Sequence, residues 1–145
     1  MNTKKFLSKE QQEAIVQAIT DAEHATSGEI RVHMESTCKE DVLDRATHIF
    51  KKLEMHKTDL RNGSLIYLAI DDRKFAILGD VGINTKVPEG FWDEIKTLMA
   101  SHFVKDEFEP GLTAGIRMIG EKLKTYFPIM SDDKNELSNE ISFGS

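Results

Sequence analysis

Six consecutive residues, Leu65-Ile66-Tyr67-Leu68-Ala69-Ile70, are apolar without interruption. The run is far shorter than the ~20 residues that cross a bilayer. As a strand it must be covered on both faces, so the chain has to supply helices for two sides of a sheet. Asp71-Asp72-Arg73 then makes a turn short enough for a hairpin, and Phe75-Ala76-Ile77-Leu78 predicts an antiparallel partner strand.

Upstream, Ser8-x-x-Gln11 is a capping box, and Ala14, Ile15, Ala18, Ile19 and Ala22 form one apolar stripe, which predicts a helix to about Thr26. Gly28 reads as the left-handed residue that closes it. Ile30, Val32 and Met34 alternate with Glu29, Arg31, His33 and Glu35, the pattern of a half-exposed strand near a sheet edge. Thr37-x-x-Glu40 reads as a second capping box, opening a helix over residues 38–55 with Val42, Ala46, Ile49, Phe50 and Leu53 on its apolar side. Strand, helix and strand in that order make a right-handed crossover between parallel strands.

Downstream, Gly79-Asp80-Val81-Gly82-Ile83-Asn84 reads as a glycine-rich loop, with room for a short strand at residues 85–87. Pro88 opens a helix striped by Phe91, Ile95, Leu98, Met99 and Phe103, and Pro110 opens another striped by Leu112, Ile116, Ile119 and Leu123. The expected architecture is a three-layer α/β/α sandwich: a small mixed β-sheet with about four flanking helices, formed by residues 1–128. Residues 129–145 read as a flexible acidic tail.

At 145 residues, with 39% apolar and 30% charged, the chain suits one domain, expected to be a monomer. A formal charge of −6 argues against nucleic acid, whose phosphates are held by Lys and Arg. No apolar run supports membrane insertion, and the start MNTKKFLSKEQQ has no apolar core of a signal peptide, so a cytoplasmic protein is expected. Cys38 is the lone cysteine and has no partner for an intramolecular disulfide.

The candidate site is acidic. Asp71 and Asp72 lie in the hairpin turn, Asp80 in the glycine loop, and Asp106, Glu107 and Glu109 between the last two helices. Carboxylates on loops, with nearby backbone carbonyls, are the donors that hard divalent cations take, and Ca²⁺ is expected over Mg²⁺ because it tolerates irregular geometry. A strand of about six residues separates Asp72 from Asp80 by roughly 20 Å, so the expected pairing is Asp80 with Asp106, Glu107 and Glu109.

Three ordered segments carry a resemblance. Ser27-Gly28-Glu29-Ile30-Arg31-Val32, then Asn62-Gly63-Ser64-Leu65-Ile66-Tyr67 running on to Asp71-Asp72-Arg73-Lys74, then Phe108-x-x-Gly111-Leu112-x-x-Gly115-Ile116, resemble the TPM domain. That family is named for thylakoid-lumen, photosystem-repair and receptor-accessory proteins. Gly79-Asp80-x-Gly82-Ile83, with Lys86-Val87 and Phe91-Trp92, resembles its stand-alone branch. The resemblance implies an α/β/α sandwich, and it brings associations with acid phosphatase activity, photosystem maintenance and receptor modulation. The expectation is a non-enzymatic, cation-responsive module facing a protein partner. A metal-dependent acid phosphatase and a metal-free structural interaction domain are the alternatives.

Overall fold

The computed structural model describes residues 6–130 and 135–144. Helix α1 (Lys9–Glu23) starts at the capping box: Ser8 Oγ accepts from the Gln11 N–H at 3.0 Å, and Gln11 Oε1 accepts from the Ser8 N–H at 2.9 Å. The second box does not form. Asp41 caps α2 (Val42–Lys52) instead, taking the N–H groups of Leu43 and Asp44, and Cys38 is buried in the loop before it.

Strands β1 (Glu29–Glu35) and β2 (Gly63–Ala69) run parallel, with Glu29 opposite Gly63 and Glu35 opposite Ala69. Strand β3 (Lys74–Gly79) returns antiparallel to β2, so the sheet is mixed as expected. A single turn of helix, α3 (Val81–Asn84), follows in place of a loop and short strand. Helices α4 (Asp93–Phe103) and α5 (Phe108–Leu123) complete the helical set.

Two cores result. Ile30, Val32, Met34, Ile66 and Leu68 face α1, α4 and α5, while Leu65, Tyr67 and Ala69 meet Ala46, Ile49 and Phe50 of α2. Gly115 shows how tightly the first is packed, since a Cβ there would lie 2.4 Å from Met99 Sδ. The Gly-x-x-x-Gly spacing of α5 is thus a close helix–helix contact.

Two expectations are corrected together. Strand β1 is interior, because residues 142–143 form a fourth strand, β4 (Ser142–Phe143), parallel to it, giving the order β3-β2-β1-β4. The described part of the C-terminal segment is therefore packed on the domain: Leu137 is buried beneath the α2 side and Phe143 packs on the α1 side. Residues 131–134 lie outside the described set. Gly28 is not left-handed; its place is set by Leu123, whose Cδ1 would lie 2.9 Å from an added Cβ.

Candidate functional site

The two parallel strands end together, and it is outside such carboxyl ends that α/β sheets gather ligands. Backbone pairing binds the loops there: Ile70 N–H donates to the Glu35 carbonyl at 2.9 Å and Asp71 N–H to the Ser36 carbonyl at 2.7 Å. Asp72 Oδ2 accepts the Cys38 N–H at 2.7 Å, and Lys74 Nζ donates to the Cys38 carbonyl at 3.1 Å. The β1–α2 loop and the β2–β3 turn are thereby one unit.

The α4–α5 loop joins them. Arg73 Nη1 donates to the Asp106 carboxylate, and both residues hold left-handed backbones, with φ of 53° and 60°. Such a conformation is uncommon away from glycine. Asp71, Asp72, Asp106 and Glu107 are all exposed; Glu107 pairs with His102 Nδ1 at 2.8 Å, and Glu109 is half-buried in the first turn of α5. The acidic turn and the acidic helical loop thus share one end of the sheet.

Asp80 does not join them. It follows the last residue of β3, whereas Arg73 precedes the first, so the six-residue strand sets them roughly 20 Å apart. Its carboxylate is also in use: Arg61 Nε and Nη2 donate to Oδ2 and Oδ1, both at 2.8 Å, and Val81 N–H donates to Oδ1 at 2.7 Å. Gly82 is there because a Cβ would fall 2.1 Å from the Leu60 carbonyl. The glycine loop is a structural clasp, and Asp80 stands apart from the Asp106 loop, which Arg73 ties to the Asp71-Asp72 turn instead.

Alternation in β1 conceals a buried polar cluster. Glu35, 3% exposed, takes Arg45 Nε at 2.9 Å, Arg45 Nη2 at 2.6 Å and the Tyr67 hydroxyl at 2.5 Å. His33 stacks on Tyr67, accepts or donates at Nδ1 with Ser142 Oγ at 2.8 Å, and brings Nε2 to 3.2 Å from Glu35. Burial pushes the Glu35 carboxyl up, but its bonds to Arg45, Tyr67 and His33 outweigh that and hold it at about 2. A tyrosine inside an otherwise aliphatic strand was the one available sign of it, since a buried phenol needs a partner.

At the amino end of β1 the balance reverses. Glu29 Oε1 accepts the Leu137 N–H at 2.6 Å and Glu23 Oε2 accepts the Ile30 N–H at 3.0 Å. Burial raises both carboxyls to about 7, and repulsion adds to it, from Glu136 on Glu29 and from Glu29 on Glu23.

Among the described residues, no three His, Cys, Asp or Glu side chains are gathered closely enough to hold a metal ion by themselves. No helix among them is long and apolar enough to cross a membrane.

Comparison with known proteins gives a consistent placement. The sequence profile of the TPM domain matches residues 1–122. Among solved structures, the BA42 protein of the psychrophilic bacterium Bizionia argentinensis, determined by NMR, is 49% identical, with a TM-score of 0.91 over 96% of each chain. An N-terminal domain from P. gingivalis is 21% identical, with a TM-score of 0.68 over 83% of this chain and 78% of that one. The N-terminal domain of the cg2496 protein of Corynebacterium glutamicum is 14% identical, with a TM-score of 0.66 over 97% and 82%. The last two are likenesses of fold. No curated protein matches the chain.

Proposed function

The chain belongs to the TPM domain family, and from that premise we propose that it is a non-enzymatic module that binds a divalent cation at the carboxyl end of its sheet. Asp72 of the turn and Asp106 of the helical loop would each supply a carboxylate, with loop carbonyls and water completing the shell. The ion pair between Arg73 and Asp106 carries this reading, because it brings the two acidic loops to one place. Irregular loops with mixed oxygen donors suit Ca²⁺, which accepts about 6–8 ligands, better than Mg²⁺ with its strict octahedron. Capture of Asp106 by the ion would release Arg73 and order the turn against the α4–α5 loop, changing the surface offered to a protein partner. On this reading the protein works as a cytoplasmic monomer.

Calorimetric titration of chelator-stripped protein with CaCl₂ tests it. Asp72→Asn, which keeps an acceptor for the Cys38 N–H, and Asp106→Asn are each expected to weaken binding at least severalfold, while Asp80→Asn leaves it unchanged. Loss of binding in Asp80→Asn alone, or no heat of binding in the unsubstituted protein, would overturn the assignment.

A further inference from the structure

Beside the acidic loops, between β3 and helices α4 and α5, lies an apolar cavity of about 250 Å³. Leu68, Phe75, Ala100, Phe103 and Phe108 form its walls. Phe75 meets Phe103 edge-on at 5.0 Å and Phe103 stacks on Phe108 at 5.7 Å, so the walls present aromatic faces and no hydrogen-bonding groups. Val104, 77% exposed, and Arg73, with its side chain 60% exposed, stand at the rim. An apolar slot with a single oriented polar group is the usual form of a small-molecule site.

The polar group narrows the ligand. A guanidinium is a planar fork of donors matched to carboxylates, and this one already holds a carboxylate, that of Asp106, which does not itself line the cavity. Among the described contacts Asp106 engages Nη1 alone. The volume lies just below the roughly 300 Å³ at which small-molecule pockets usually begin, so the ligand is limited to one ring or a short alkyl chain.

We propose that this cavity binds a small aryl or alkyl carboxylate, its apolar group between Phe75, Phe103 and Phe108 and its carboxylate on Arg73 in place of Asp106. Asp106 is then an internal competitor that keeps the guanidinium in place when no ligand is present. The inference does not need the divalent cation, and its test is run without one.

The experiment is an NMR titration of the ¹⁵N-labelled full chain with 3-phenylpropionate in excess EDTA, with neutral 3-phenylpropanol as the comparison. Saturable shifts are expected at the amides of Phe75, Ala100, Val104 and Phe108, with the alcohol binding more weakly than the acid. Arg73→Gln should weaken the acid on the order of tenfold, the size of one charge-assisted hydrogen bond. Asp106→Asn should tighten it at least threefold, and Ala100→Leu, which fills the cavity, should abolish it. Shifts lying elsewhere, no saturation at millimolar acid, or equal binding of acid and alcohol would overturn the proposal, as would unchanged affinity in Arg73→Gln with its spectrum otherwise preserved.

Discussion

The two ends of the sheet use carboxylates in opposite ways. At the amino end, Glu23, Glu29 and Asp80 are turned inward, and each accepts a backbone N–H, from Ile30, Leu137 and the adjoining Val81 in turn. They hold the chain together and leave little for a ligand. At the carboxyl end, Glu35 alone is buried and is matched by Arg45, while Asp71, Asp72, Asp106 and Glu107 face water. The same residue type is a buried fastening at one end and a solvent-exposed carboxylate at the other, where Asp72 and Asp106 keep their partners, the Cys38 N–H and Arg73, within reach of water.

The sharpest way to break this contrast is to remove the cation that matches Glu35. Arg45→Met leaves a carboxylate 3% exposed without its main partner, and should cost about 3–5 kcal/mol in urea denaturation at pH 7. Adding Glu35→Leu to that variant should recover most of the loss, because an apolar pair of similar volume no longer strands a charge. A cost below about 1 kcal/mol for Arg45→Met would mean that water reaches Glu35.

A second prediction concerns pH. Burial lifts Glu23 and Glu29 to about 7 in the folded protein from their ordinary 4.5, so the folded state holds protons that the unfolded chain has released. Their contribution is fully present below about pH 4.5 and is lost as pH rises through about 7. Glu35 behaves oppositely: held at about 2, it contributes above pH 4.5 and fails as pH falls towards 2. Glu29→Gln keeps an acceptor for the Leu137 N–H and should flatten the decline between pH 5 and 8, a gain of about 1–3 kcal/mol at pH 8. An unchanged slope would place the titrating groups elsewhere.

The smallest effect belongs to the clasp. Asp80→Ala removes both the α3 cap and the Arg61 pair, and because Arg61 is 46% exposed the cost should be only about 1–2 kcal/mol by thermal unfolding. Calcium affinity should not change.

Much of this architecture follows from local pattern. The Ser8 box and the Asp71-Asp72-Arg73 turn specify their elements through contacts a few residues apart, and the unbroken Leu65 to Ile70 run marks β2 by its composition alone. Strand β1 defeats that logic because its polar positions are buried by residues distant in sequence. Glu29 meets Leu137, His33 meets Ser142, and Glu35 meets Tyr67. Alternation records which residues share a face; it does not record whether that face is wet. The same limit applies to the acidic loops. Strand length separates Asp72 from Asp80 directly, but the end at which the α4–α5 loop arrives depends on how those helices pack, through contacts such as Met99 against Gly115.

The most direct test is a backbone-amide NMR titration of chelator-stripped protein with CaCl₂, with MgCl₂ as comparison. Saturable shifts are expected in residues 36–41, 71–74 and 104–109, stronger for calcium, with Gly79 to Asn84 silent. Shifts centred on Gly79 to Asn84, or none at millimolar calcium, would contradict a cation site at the carboxyl end of the sheet.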